Sequence, residues 1–217
     1  MARYGIDIWM TTMAITSGFK VCQSNLGVKI HDAKDPGQHL GPMFRQVMWV
    51  LLSLMEEFEG QWKGVRGSRP VETFGFEGTL EPEPVEVDLP GIVERFQTGF
   101  SHFGSLWKDL FCADCYDAIR RAAELKAEEF DFPADTWVQI LYELAATFHA
   151  WKRNRFKIVE LVTPLYYARV ASFVRKTLDM SSEEAEKLVE EQALKFEEQK
   201  DYLVRVWDER RNVVEPL

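Results

Sequence analysis

Cysteine is scarce in this sequence: 3 among 217 residues, an odd number that cannot all pair within one chain. A disulfide-stapled scaffold is thereby excluded, and free thiols fit a reducing cytoplasm. Long apolar runs are missing too. The longest nearly apolar stretch, Met48 to Met55, falls far short of the roughly 20 residues that a membrane span requires. Asp7 sits where a secretory leader would carry its apolar segment, so neither insertion nor export is expected. Basic residues are outnumbered, 26 against 35 acidic ones, giving a formal charge of −9. With no local Lys/Arg cluster to offset that excess, a nucleic-acid phosphate backbone would meet net repulsion. No repeat with a period of about 20 to 50 residues is found, which argues against a solenoid.

What is present is apolar payload. Hydrophobic residues make up 46% of the chain, and 7 Trp with 15 Phe require packing partners, so a folded core is expected rather than disorder. From Asp35-Pro36-Gly37 onward the pattern is helical. Gly41 to Glu59 places Phe44, Val47, Met48, Leu51, Leu52, Met55 and Phe58 on one face, with Gly60 at its end. Gln61 to Leu89, rich in Gly, Pro and acidic residues, reads as a long loop with one extended strand at Glu83 to Val87. Asp88 and Asp114 are positioned as helix caps, and Pro133 opens a helix that Thr163-Pro164 should break or kink. Ser181 with Glu184 forms a capping box before the last helix. In that last segment Glu183-Lys187 and Glu191-Lys195 are spaced as ion pairs on a solvated face. The expected fold is therefore mainly α: a helical, bundle-like domain over 38–217, preceded by a short α/β segment over 1–37.

That first segment has its own logic. Ile6 to Thr16 has helical spacing and stops at Ser17-Gly18, where glycine suits the left-handed position after a helix. Phe19 to Gln23 and Val28 to His31 read as two short strands around an Asn25-Leu26-Gly27 turn. A helix and two strands cannot close a core, and an isolated strand pair is marginal in water. The segment is thus expected to be the end of a larger α/β domain, or else an appendage packed on the helices.

Candidate chemistry is sparse in the helical part. Cys112-Ala-Asp-Cys115 is a thiol pair that could be redox-active or half a zinc site, or two thiols that merely meet at a helix junction. No Glu-x-x-His pair occurs, so a di-iron bundle is disfavoured. His149, on an apolar stripe with Trp137, Ile140, Leu144 and Phe148, reads as a core or boundary histidine. In the first segment, Asp7 stands at a helix start, as an N-cap or as a carboxylate aimed at a ligand. His31 stands at a strand end, where metal ligands and catalytic groups of α/β folds gather.

On these residues, Gly5-Ile6-Asp7 followed by Met10-Thr11 and then Lys29-Ile30-His31, the chain resembles the C-terminal part of GT-A glycosyltransferases of the glucosylglycerate and mannosylglycerate synthase group. Gly41-Pro-Met-Phe-Arg-Gln-Val, Trp62, Thr163-Pro-Leu-Tyr and Lys200-Asp-Tyr-Leu extend the likeness into the helical extension of that group, over most of the chain. The resemblance implies transfer of a sugar from a nucleotide-sugar donor to glycerate or phosphoglycerate, a compatible-solute synthesis in the cytoplasm assisted by Mg²⁺ or Mn²⁺ that neutralises the leaving diphosphate. It implies that Asp7 is the catalytic carboxylate, that Asp7 and Thr11 bind substrate, and that His31 completes the metal site. It is compatible with a homo-oligomer. The Asp-x-Asp and donor-binding βαβ run of that group are not found before Gly5, and the Asp-Phe-Pro-Ala-Asp at 131–135 is no substitute. The expectation is a chain that carries some site residues without the donor pocket and is inactive alone. The alternative is a non-enzymatic helical interaction module.

Overall fold

The computed structural model describes residues 4–26, 36–75 and 86–210, with residues 36–39 described by backbone only. These fold as nine α-helices and one small parallel sheet. Helix α1 spans Ile6–Thr16 as its spacing predicts, and Gly18 after it takes the left-handed φ of 77°.

The strands depart from expectation. β1 is Gln23–Asn25, so it begins where the predicted strand ends and includes the predicted turn residue Asn25. Its partner is β2, Thr73–Gly75, running parallel in the register Gln23 to Thr73, Ser24 to Phe74 and Asn25 to Gly75. Parallel strands need a long crossover, and the helical segment between them supplies it. The predicted second strand, Val28 to His31, lies outside the described residues, as does most of the extended stretch Glu83 to Val87. Alternation over five residues could not reveal β2, because its partner is remote in sequence.

α2 is Pro36–Glu57, and it starts before Gly41, so that Pro42 falls inside it. As the seventh residue of the helix, Pro42 forgoes the one bond that its N–H would make to the carbonyl four residues back. Phe44, Met48 and Leu52 form its buried row. The chain turns at Phe58, and α3 adds Glu59–Trp62, so Gly60 lies within this short turn of helix instead of ending the long one.

α4 (Leu89–Leu110) is capped as predicted, the Asp88 carboxylate accepting the Gly91 N–H at 3.0 Å. α5 is Ala113–Ala123; its cap is Cys112 and not Asp114, the Cys112 sulfur accepting the Cys115 N–H at 3.3 Å. α6 is Ala134–Ala150 and α7 is Arg155–Thr177. The helix that Pro133 opens ends at the 151–154 junction, ahead of the predicted break or kink at Thr163-Pro164, and Asn154 there adopts a φ of 50°. Asparagine tolerates that conformation, and Pro164 lies inside α7. At that point α4 presents Gly99, and a Cβ on it would come 2.2 Å from the Pro164 Cβ. The final predicted helix is two, α8 (Ser182–Glu198) and α9 (Lys200–Arg210), with a turn at Gln199. The capping box of Ser181 and Glu184 opens α8. Lys187 pairs with Glu183 at 3.0 Å, but Lys195 turns to Glu198 and Asp135 instead of Glu191.

The core lies among α2, α4, α5, α6, α7 and α9, and Trp107, Trp207, Phe96, Phe132 and Phe148 are fully enclosed in it. The Trp107 indole N–H donates to the Leu161 carbonyl at 3.0 Å, so its polar edge is satisfied within the core.

Candidate functional site

Among the described residues, two places bear on the candidate chemistry. The first is the start of α1, the segment on which the resemblance rests. Gly5 is the N-cap, and its carbonyl accepts the Trp9 N–H at 3.1 Å. The N-cap alternative for Asp7 is thereby excluded: the carboxylate stands in the first turn, exposed, where the helix dipole favours negative charge. Thr11 is one turn on, also exposed, and a four-residue spacing puts it on the same side as Asp7. The Tyr4 N–H donates to Gln46 Oε1 at 3.3 Å, which ties the start of α1 to α2. His31 lies outside the described residues. Among the described residues, Asp7 belongs to no group of three His, Cys, Asp or Glu side chains close enough to share an ion. A lone carboxylate does not make a Mg²⁺ or Mn²⁺ site, since both ions take several oxygen ligands.

Around this segment the surface is apolar. Trp9, Met10, Ile15, Phe19 and Leu26 are all exposed, Phe19 by 70% and Leu26 by 89%. Ile15, Thr12 and Thr16 of α1 border an apolar groove of about 310 Å³ with Leu51, Leu54 and Phe58. A larger cleft of about 1050 Å³ runs along α4 beside α7, past Asp88, Arg95, Gly99, His102 and Tyr167; Asp7 does not line it.

The second place is buried, at the junction of α4, α5, α6 and α9. Glu143 of α6 is only 2% exposed, although it stands on a stripe otherwise made of Ile140, Leu144 and Ala146. Its carboxylate accepts the Cys112 N–H at 3.0 Å, the Tyr202 hydroxyl, and Arg210 Nη2 at 3.1 Å. Arg210 also donates to the Leu110 and Glu143 carbonyls at 2.9 and 3.1 Å, and to Thr147 Oγ1. A buried carboxylate with a charged partner and three donors is the form in which such a group is tolerated. Burial pushes the Tyr202 hydroxyl up, and its hydrogen bond to Glu143 adds to this.

The thiol pair sits on the edge of this network. Cys112 Sγ, Cys115 Sγ and a Glu143 oxygen lie within 4.8 Å of one another. Cys115 is 1% exposed and its thiol donates to Gln139 Oε1 at 3.3 Å, whereas Cys112 is half-buried. Burial pushes the Cys115 thiol up, and Cys112 and Glu143 reinforce the shift. Glu143 and Arg210 are not marked by the sequence analysis, and Tyr202 enters it only within Lys200-Asp-Tyr-Leu, with no role. The readable signal was a glutamate inside an apolar helical stripe, which must find a partner; no spacing rule says that the partner is Arg210.

His149 stacks on Trp207 at 4.2 Å and bonds Glu56 at 3.2 Å, the boundary histidine that its position predicts. No family model matches this chain, and no curated protein or solved structure matches it.

Proposed function

We propose that this chain is the C-terminal portion of a metal-dependent GT-A glycosyltransferase that moves a sugar from a nucleotide-sugar donor to glycerate or phosphoglycerate, and that it is inactive by itself. The observation that carries this reading is the unburied α/β segment. α1 buries none of its side chains, and both strands are exposed along their whole length. Fully burying an apolar side chain of this size is worth about 1.5–3 kcal/mol, so Trp9, Met10, Ile15 and Phe19 together forgo a substantial stabilisation that a covering domain would recover. A nucleotide-sugar-binding half seated there would cover this surface and meet the exposed Asp7 and Thr11. In this reading Asp7 holds donor or acceptor hydroxyls beside the reacting carbon, Thr11 adds a hydroxyl one turn away, and His31 contributes one ligand to a metal whose oxygen ligands belong to the donor-binding half.

The test has two arms. The purified chain, given GDP-glucose, GDP-mannose or UDP-glucose with Mg²⁺ or Mn²⁺ and glycerate or phosphoglycerate, is expected to transfer nothing. The protein extended through the upstream coding frame is expected to transfer, and His31→Ala in it should lower turnover by roughly 10- to 100-fold with little change in folding. Turnover by the chain alone would overturn the reading, and so would an upstream frame that lacks an in-phase Asp-x-Asp and βαβ pattern. The second outcome would favour the alternative, a non-enzymatic helical interaction module in which residues 1–35 only dock and residues 36–217 bind a partner chain.

A further inference from the structure

The Cys112-Cys115 pair is independent of that reading, and its surroundings distinguish between the three roles open to such a pair. For a metal, the third nearby ligand type is Glu143, but its carboxylate already accepts from the Cys112 N–H, Tyr202 and Arg210. An ion would have to displace donors from a group that is 2% exposed and neutralised by Arg210, leaving that guanidinium unpaired. For two inert thiols, both sulfurs would be expected in apolar surroundings, as buried structural cysteines are. Instead each makes a polar contact: Cys112 Sγ accepts the Cys115 N–H, and Cys115 Sγ donates to Gln139.

We propose that Cys112 and Cys115 are a redox-active dithiol that closes reversibly to an intramolecular disulfide by exchange with a low-molecular-weight disulfide, Cys112 attacking and Cys115 resolving. The division of labour follows from position. Cys112 is the N-cap of an eleven-residue helix and is reachable from solvent, so the positive end of the helix dipole faces the sulfur that attacks. Cys115, three residues on, is enclosed. Burial, with Cys112 and Glu143 beside it, keeps the Cys115 thiol protonated and makes it the slower of the two to react. The sulfurs lie within 4.8 Å of each other, so reaching a bond of about 2.05 Å asks for side-chain rotation rather than a shift of the helix.

In the first step the Cys112 thiolate attacks one sulfur of the small disulfide, whose S–S bond breaks and releases one thiolate. In the second, the Cys115 sulfur attacks Cys112 in the mixed disulfide and expels the other small thiolate. The two protons of the protein thiols end on the two released thiols; the protein is oxidised by two electrons and the small disulfide is reduced by two. A thiol reverses both steps. In a reducing compartment such a bond is transient, as catalytic and redox-sensing disulfides are.

The experiment uses the chain with Cys22→Ser, which removes the exposed third thiol, equilibrated in mixtures of reduced and oxidised glutathione. Intact mass and alkylation of free thiols are read together. The expected result under oxidising mixtures is loss of both alkylatable thiols without a glutathione adduct, fully reversed by excess reduced glutathione. Adding Cys115→Ser should trap one glutathione on Cys112, and adding Cys112→Ser instead should leave Cys115 unmodified in the native state. Two free thiols in every mixture would overturn the proposal. So would a first adduct on Cys115, or one equivalent of zinc that shields both thiols until a chelator removes it. The parent Cys22→Ser result decides the matter even where a further substitution fails to fold.

Discussion

Helices α1 and α6 are both rich in apolar residues, yet they meet opposite fates. α6 buries Trp137, Ile140, Leu144 and Phe148 among α2, α5, α7 and α9. α1 buries none of its side chains and leaves Trp9, Met10 and Ile15 facing water. The difference teaches that hydrophobicity orders an element only where a partner supplies the opposing surface. In the helical body that partner is within the chain: α7 crosses α4 at Gly99 and Pro164, and α9 lies on α6 through the Glu143–Arg210 network. In the first segment α1 touches α2, and β1 pairs with only three residues of β2.

The contrast can be attacked first at its strongest point in the body. Glu143→Ala removes the acceptor shared by Arg210, Tyr202 and the Cys112 N–H, and is expected to cost about 3–5 kcal/mol in urea unfolding. A loss below about 1 kcal/mol would show that the network does not hold α9 on α6. Next comes Gly99→Ala, whose Cβ would meet the Pro164 ring at 2.2 Å; the expected cost is about 1–3 kcal/mol of overpacking, read as a lowered melting temperature. A smaller effect is set by pH. Burial holds the His149 imidazole below its ordinary 6.5, and the raising influence of Glu56 does not cancel it. The unfolded chain therefore takes up the proton first as pH falls, so His149 contributes stability that is present above about pH 6.5 and is lost towards the lower folded value. His149→Phe, which keeps a ring against Trp207, should flatten that part of the stability profile; an unchanged profile would contradict the assignment. Smallest of all is Phe19→Ser in the first segment. The side chain is 70% exposed, so stability should change by no more than about 0.5 kcal/mol, whereas a loss above 1 kcal/mol would mean that this segment is packed into the body after all.

Much of the helical body was legible because its signals are local. The i, i+4, i+8 row of Phe44, Met48 and Leu52, the Asp88 cap and the Ser181-Glu184 box each depend on neighbours within a few residues, and each is found where the sequence places it. Helix ends governed by tertiary packing were not legible. Thr163-Pro164 was expected to break or kink a helix, yet it lies inside α7 and the chain breaks at Asn154 instead, where no proline or glycine marks the boundary. The strand pairing escaped for the same reason: β1 finds β2 across some 50 residues of intervening chain, a contact that alternation cannot encode. At the candidate site, the place of Asp7 at a helix start is legible in Gly5-Ile6-Asp7, whereas the convergence of the Cys112 N–H and of Arg210 from α9 on Glu143 of α6 is a property of the assembled bundle.

The proposed function depends most directly on whether a further domain covers the α/β segment. Backbone hydrogen exchange across residues 6–25 measures this, compared between the chain alone and the protein extended through the upstream coding frame. In the chain alone these amides should exchange far faster than those of α4, α6 and α7, and in the extended protein they should slow by at least about tenfold. Equal protection of residues 6–25 in the two proteins would contradict it.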